Sequence, residues 1–210
     1  MGETADGRLW LVRHGETEWS RLRRHTGRTD VPLTEHGQRQ ALALAPVLAA
    51  AKPVLVLVSP LQRARRTAEL AGLVGPAAAG SLVRVDGNLS EWDYGKYEGL
   101  TTAEIREDHP GWRIWTGDPP GGETLAQVAT RVDRVMARID DALPTGNVVV
   151  VGHGHVGRVM AARWLGLPAD AGRLLALGPA TPCVLGTEHG ARVVDRWNLP
   201  NPADEADEPE

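Results

Sequence analysis

The chain of 210 residues has one cysteine, Cys183, and no phenylalanine. A lone cysteine excludes an intrachain disulfide framework and a multi-cysteine zinc site. It lies in an apolar stretch and reads as an inert buried thiol. No apolar run approaches the roughly 20 residues that a membrane span needs. Met1 to Gly7 is polar and acidic, unlike a signal peptide, so the cytoplasm is the expected compartment. Charge of one sign is not in excess either: 23 Lys+Arg stand against 27 Asp+Glu, a formal −4. No nucleic acid and no membrane is therefore expected as a partner, and any affinity for phosphate must come from local arginines. With only two tyrosines, seven tryptophans must supply most of the aromatic packing. They read as core and lid residues rather than as a cofactor box.

What is present is an alternation of strands and helices. Strands are expected at Arg8 to Val12, Val54 to Val58, Leu82 to Val85 and Asn147 to Val151. Helices are expected at Thr34 to Ala51, from the Ser59-Pro60 pair onward, and at Thr101 to Asp108, Glu123 to Leu143 and His155 to Leu165. Thr34 is read as an N-cap, and Ser59 as another with proline in the first turn. Pro46 interrupts the first of these helices. Cys183 to Thr187 and Arg192 to Trp197 read as a hairpin turning at His189-Gly190. The alternation implies a three-layer α/β/α sandwich with a mostly parallel central sheet. Residues 1–200 are expected to form one domain. Residues 201–210, acidic and proline-containing, are expected to form a disordered tail.

Two strands end in histidines. The first runs into Arg13-His14-Gly15-Glu16-Thr17, the second into Gly152-His153-Gly154-His155. Open α/β sheets place their sites at the carboxyl ends of central strands. With Arg63 from the helix after Ser59, those ends would gather two guanidinium groups and two imidazoles. Such a site wants a dianion, and the planar fork of arginine suits phosphate oxygens. A neutral imidazole among cations is a nucleophile for phosphorus. A leaving alkoxide needs a proton, and Glu91 is the candidate acid. Other readings stand beside these. His153 and His155 have a spacing that also suits metal ligands, given further ligands. Glu91 also fits as a salt-bridge partner of an arginine. His25, His36, His109 and His189 read as surface residues. Arg21, Arg23 and Arg24 form either a solvated basic face or a steering patch for a phosphorylated substrate.

These segments resemble the histidine phosphatase superfamily, with its phosphoglycerate-mutase-like fold. The resemblance rests on ordered motifs: Arg13-His14-Gly15-Glu16-Thr17, Thr26-Gly27-Arg28-Thr29-Asp30, Ser59-Pro60-Leu61-Gln62-Arg63, Glu91 through Leu100, Gly121-Gly122-Glu123-Thr124 and Gly152-His153-Gly154. It implies His14 as the nucleophile that becomes phosphohistidine. Arg13, Arg63, His153 and Gly154 would hold the phosphoryl group. Glu91 would act as acid and then as base. Thr26, Gly27 and Tyr94 would lie near the substrate. Ser20 stands where many members have asparagine. No metal and no cofactor is implied.

Mutases of the family carry two arginines directly after a tryptophan like Trp115. Here Thr116 and Gly117 follow, which favours a phosphatase of small phosphorylated metabolites. The acid phosphatase and sedoheptulose-bisphosphatase branches are the nearest in pattern. A 2,3-bisphosphoglycerate-dependent mutase and a non-catalytic phospholigand binder are the alternatives, and a homodimer is left open.

Overall fold

The computed structural model describes residues 7–205. A six-stranded sheet runs through it, built from β1 (Leu9–Arg13), β2 (Leu55–Val58), β3 (Leu82–Val85), β4 (Val148–Gly152), β5 (Pro182–Glu188) and β6 (Ala191–Arg196). Its order is β3-β2-β4-β1-β5-β6. The first four strands are mutually parallel, while β5 and β6 close the sheet as an antiparallel pair. The hairpin turns at His189 (φ 49°) and Gly190 (φ 78°), successive left-handed residues that match the twist of the strands.

β4 is all valine before its glycine and is buried on both faces. Alternation sends Val148 and Val150 into one core and Val149 and Val151 into the other. The first core is covered by α6 (Leu125–Ala142) and α7 (Gly154–Trp164). The second is covered by α3 (Ala45–Ala50) and α4 (Gln62–Leu70), with α2 (Glu35–Ala43) packed against α4. Helices on both faces make this the expected three-layer sandwich.

Three local expectations are corrected. The helix foreseen over 34–51 is two helices meeting at Leu44, because Pro46 has no N–H for the carbonyl four residues back. Its cap at Thr34 is present, the side chain accepting from Gly37 N. Ser59 does not cap α4. Leu61 holds that position, and Ser59 is free for another task. The tail is ordered as far as it is described. Asn201 is buried and Pro202–Glu205 forms a short helix, α8. Residues 206–210 lie outside the described residues.

Register decides where the strands end. Val12 and Val58 both pair with Val151, and Arg13 pairs with Gly152. The chain therefore leaves β1, β2 and β4 at one edge, delivering His14, Ser59 and His153 side by side.

Candidate active site

His14 follows β1 and is 4% exposed. Its N–H donates to Gly152 O at 2.9 Å, which ties it to β4. Its Nδ1 lies 2.7 Å from Gly15 O. A carbonyl only accepts, so Nδ1 carries the proton and the lone pair sits on Nε2. Burial, then the nearby Arg13 and Arg63, hold this imidazole well below the ordinary histidine range, and it is neutral. The turn that aims it needs close backbone approach. A Cβ on Gly15 would stand 2.3 Å from Gly37 O, and one on Gly37 2.1 Å from Glu16 O. Neither position has room for a side chain.

Arg13 donates through Nη1 to Leu177 O at 2.8 Å. Its Nε is buried and has no partner among the described residues. A charged N–H left unpaired beside His14 suits an anionic oxygen. Glu91 lies opposite, under the N-terminus of α7. Its carboxylate accepts from the backbone N–H of Trp92, His155 and Val156, each at 2.9 Å. The salt-bridge reading of this carboxylate is thereby set aside: three backbone donors orient it, and Arg131 instead pairs with Glu123 at 2.8 Å.

His153 and Arg63 stand behind this front, both fully buried. The rings of His14 and His153 meet edge to face, 5.2 Å between centroids. Arg63 Nε donates to His153 Nδ1 at 3.2 Å, so His153 Nε2 carries the proton and donates to Ser59 Oγ at 2.6 Å. The remaining Arg63 nitrogens donate to Thr26 O, Gly27 O and Thr29 O. Burial first, and Arg63 second, keep His153 well below the ordinary range. The resting positive charge therefore comes from arginines alone, not from imidazolium. The metal-ligand spacing of His153 and His155 is not used as such. A guanidinium N–H occupies the His153 Nδ1 lone pair, and His155 Nδ1 lies 2.6 Å from the Tyr94 hydroxyl.

A cavity of about 560 Å³ opens in front of His14. Seven expected residues line it: Arg13, His14, Ser20, Thr26, Glu91, Tyr94 and Gly154. Arg63, His153 and Gly27 do not. Gly27 serves the frame, its N–H donating to Glu98 and its carbonyl holding Arg63. Ser20 Oγ is engaged in the capping box of α1 (Glu18–Arg21), accepting from Thr17 N.

Of the rest of the lining, Arg23 and Arg24 belong to the basic run read as a solvated face or a steering patch, and His25, His155, Arg106, Arg113 and Arg158 were not foreseen. His25, expected at the surface, is packed 4.7 Å from Tyr94 and 5.5 Å from Trp112. Burial drops it to about 4, so it too is neutral. His155 is driven well below the ordinary range, by burial above all. Together with Trp112, Trp115 and Leu177 these rings make an uncharged wall. Beyond it stand five more arginines, Arg23, Arg24, Arg106, Arg113 and Arg158, and Glu91 is the one carboxylate in the lining. Arg24 pairs with Glu104 at 3.3 Å, and Arg158 lies over the Trp115 ring at 4.7 Å. No hydrogen bond or ion pair among the described residues engages the guanidinium groups of Arg23 and Arg113. Arg21 points elsewhere, paired with Glu18 at 2.7 Å.

The arrangement at residues 9–200 matches the histidine phosphatase superfamily, branch 1. The chain belongs to that family. An acid phosphatase of Mycobacterium tuberculosis is 43% identical over 187 residues, covering 88% of this chain and 89% of that protein. Sedoheptulose 1,7-bisphosphatase of Saccharomyces cerevisiae is 36% identical, covering 76% and 68%. The solved structure of the open reading frame Rv3214 of Mycobacterium tuberculosis superposes with a TM-score of 0.85. It is 41% identical, over 93% of this chain and 98% of that one. Proteins named probable phosphoglycerate mutase are among the relatives as well. Both phosphatase branches anticipated from the motifs are thus represented. Among the described residues, no helix is long and apolar enough to cross a membrane.

Proposed function

We propose that this protein is a phosphatase of small phosphorylated metabolites that works through a phosphohistidine on His14. The observation that carries the reading is the pairing of a neutral His14, its lone pair on Nε2, with the unpartnered buried Nε of Arg13. In the first step Nε2 attacks phosphorus and the ester P–O bond breaks. The leaving oxygen takes a proton from Glu91. In the second step the Glu91 carboxylate takes a proton from water, whose oxygen attacks phosphorus. The P–N bond then breaks and His14 returns neutral. Arg13 stabilises the charge on the equatorial oxygens, and Arg63, one layer behind, adds its positive field without touching them.

The substrate class follows from the cavity. One phosphoryl dianion at the His14 end leaves the outer arginines uncompensated. A second anionic group on the leaving portion, phosphate or carboxylate, would meet Arg23 and Arg113. The neutral ring wall between suits a sugar-sized spacer. These arginines also change the weight of Thr116 and Gly117. Guanidinium groups missing there are supplied by Arg106 and Arg113, so a carboxylate is not left without a partner. The choice of phosphatase over mutase rests instead on the phosphatase-named relatives.

The test is phosphate release from a panel of esters with and without a second anionic group. Acid-labile phosphoenzyme is trapped in the same runs, and 2-phosphoglycerate is followed with 3-phosphoglycerate and 2,3-bisphosphoglycerate. Wild type should form phosphoenzyme and His14→Ala should form none. Isomerisation faster than every hydrolysis would restore the mutase reading.

A further inference from the structure

Gly15 and Glu16 share one peptide group, and both sides of it are held. Its carbonyl accepts the His14 Nδ1–H at 2.7 Å. Its N–H donates to Gln40 Oε1 at 2.8 Å. Gln40 lies on α2 and is 4% exposed. The other arm of the same amide, Nε2, donates to Asp204 Oδ1 at 2.7 Å. A primary amide has an acceptor on one arm and donors on the other. A carboxylate on the donor arm fixes which arm faces the loop. Were the amide reversed, its NH2 would confront the Glu16 N–H, donor against donor.

The turn that carries Asp204 is anchored independently. Asn201 Nδ2 donates to Gln40 O at 3.0 Å and to Ala180 O at 2.9 Å. Its Oδ1 accepts from Ala203 N at 3.0 Å. Ala180 N in turn donates to Arg13 O at 2.9 Å. His36 Nε2 approaches the same Asp204 oxygen at 3.1 Å. The C-terminal segment is thus fastened to the backbone on both sides of the nucleophile loop.

We propose that Asp204, Gln40 and the 15–16 peptide form a positioning relay that holds His14 with its lone pair on Nε2. The reading rests on His14 as nucleophile. Hydrogen bonds in series polarise one another. The Asp204 charge makes Gln40 Oε1 a better acceptor, which makes Gly15 O a better acceptor for Nδ1–H. Electron density rises at Nε2, and no proton changes its owner. A carboxylate that orients a histidine directly is the arrangement of serine-hydrolase triads. Here it acts through an amide and a peptide. Gln40 and Asp204 are positioning residues and touch no reacting atom.

The experiment uses the full chain with Asp204→Ala, Asp204→Asn and Gln40→Leu, and two readouts. One is the nitrogen NMR spectrum of the His14 ring without ligand. The other is the single-turnover rate of phosphoenzyme formation, beside inhibition by vanadate as a measure of binding. D204A and Q40L should mix the His14 tautomers and slow phosphorylation about five- to thirtyfold, the weight of one or two hydrogen bonds. Vanadate inhibition should stay within about threefold, and the double variant should be no slower than Q40L alone. D204N keeps an acceptor without the charge. It should recover the tautomer and most of the rate. A D204A protein with the wild-type tautomer and a rate within about twofold would overturn the relay, as would additive losses in the double variant. If Q40L does not fold, the two Asp204 variants decide, since that side chain is 44% exposed. If wild type forms no phosphoenzyme, the nucleophile assignment fails, and the ring spectrum still judges the relay.

Discussion

Acidification should unfold this protein through its active site. His14, His153 and His155 are all held well below the ordinary histidine range by burial, and His25 is dropped to about 4. In the unfolded chain each titrates near 6.5. Between 6.5 and the folded value the unfolded state binds more protons, so stability is full above 6.5 and is lost as pH falls. For His25 the window runs from 6.5 down to about 4, and below it the loss levels off. His25 alone costs about 2 kcal/mol between pH 7.5 and 5.0, and His14, His153 and His155 act in the same direction. Even the His25 loss is a sizeable part of the stability of an ordinary domain, roughly 5–15 kcal/mol. Urea unfolding at pH 7.5, 6.5, 5.8 and 5.0, followed by tryptophan fluorescence, reads the slope. His25→Asn should flatten it by about one proton, or ~1.4 kcal/mol per pH unit. Saturating phosphate should move the loss to lower pH, since it binds the folded site alone. Equal stability at pH 7.5 and 5.0 would mean that none of the four is held neutral by the fold, and would refute the site electrostatics described above.

Other perturbations separate the roles within the site. Glu91→Gln should slow phosphoenzyme formation from alkyl phosphates by on the order of 10²-fold and from an acidic phenol's phosphate far less. Equal losses would remove it as the acid. Ser59→Ala strands the His153 Nε2–H and should cost about 1–3 kcal/mol in urea unfolding, with faster phosphate dissociation. Arg23→Ala with Arg113→Ala should raise KM for a sugar bisphosphate about five- to thirtyfold and leave p-nitrophenyl phosphate within about twofold. A parallel rise for both esters would deny the outer arginines a second anion. Turnover should persist after exhaustive chelation, the arginines supplying the charge that a metal would. Loss restored by zinc or magnesium would count against the mechanism.

The strands and their ends were legible because β-branched runs are loud and because an arginine and a histidine directly after one have few other uses. Thr34 was legible as a helix cap through its side chain alone, whereas the capping boxes at Thr101 and Thr124 were not read from the sequence. What stayed hidden was set by tertiary contact. Ser59-Pro60 has the look of a cap, yet the chain stays extended through Leu61 and the hydroxyl goes to His153 instead. His25 reaches the cavity because its backbone pairs with Gly99 and Leu100, some 75 residues on, and no local pattern announces that. The tail reads as disordered from composition. Asn201, donating to two carbonyls, and Asp204, held by Gln40 and His36, fasten its first residues. Arg113 sits in a loop of ordinary polarity, and only the tertiary fold makes it part of the lining.

A basin of six guanidinium groups in a chain of net charge −4 has a consequence for turnover. The field that draws a phosphate ester inward does not distinguish it from the orthophosphate left behind. Where free phosphate is abundant it should compete for the site, so that each new substrate has first to displace it. Release of product should then limit throughput on good substrates. Raising ionic strength should speed departure as it slows arrival.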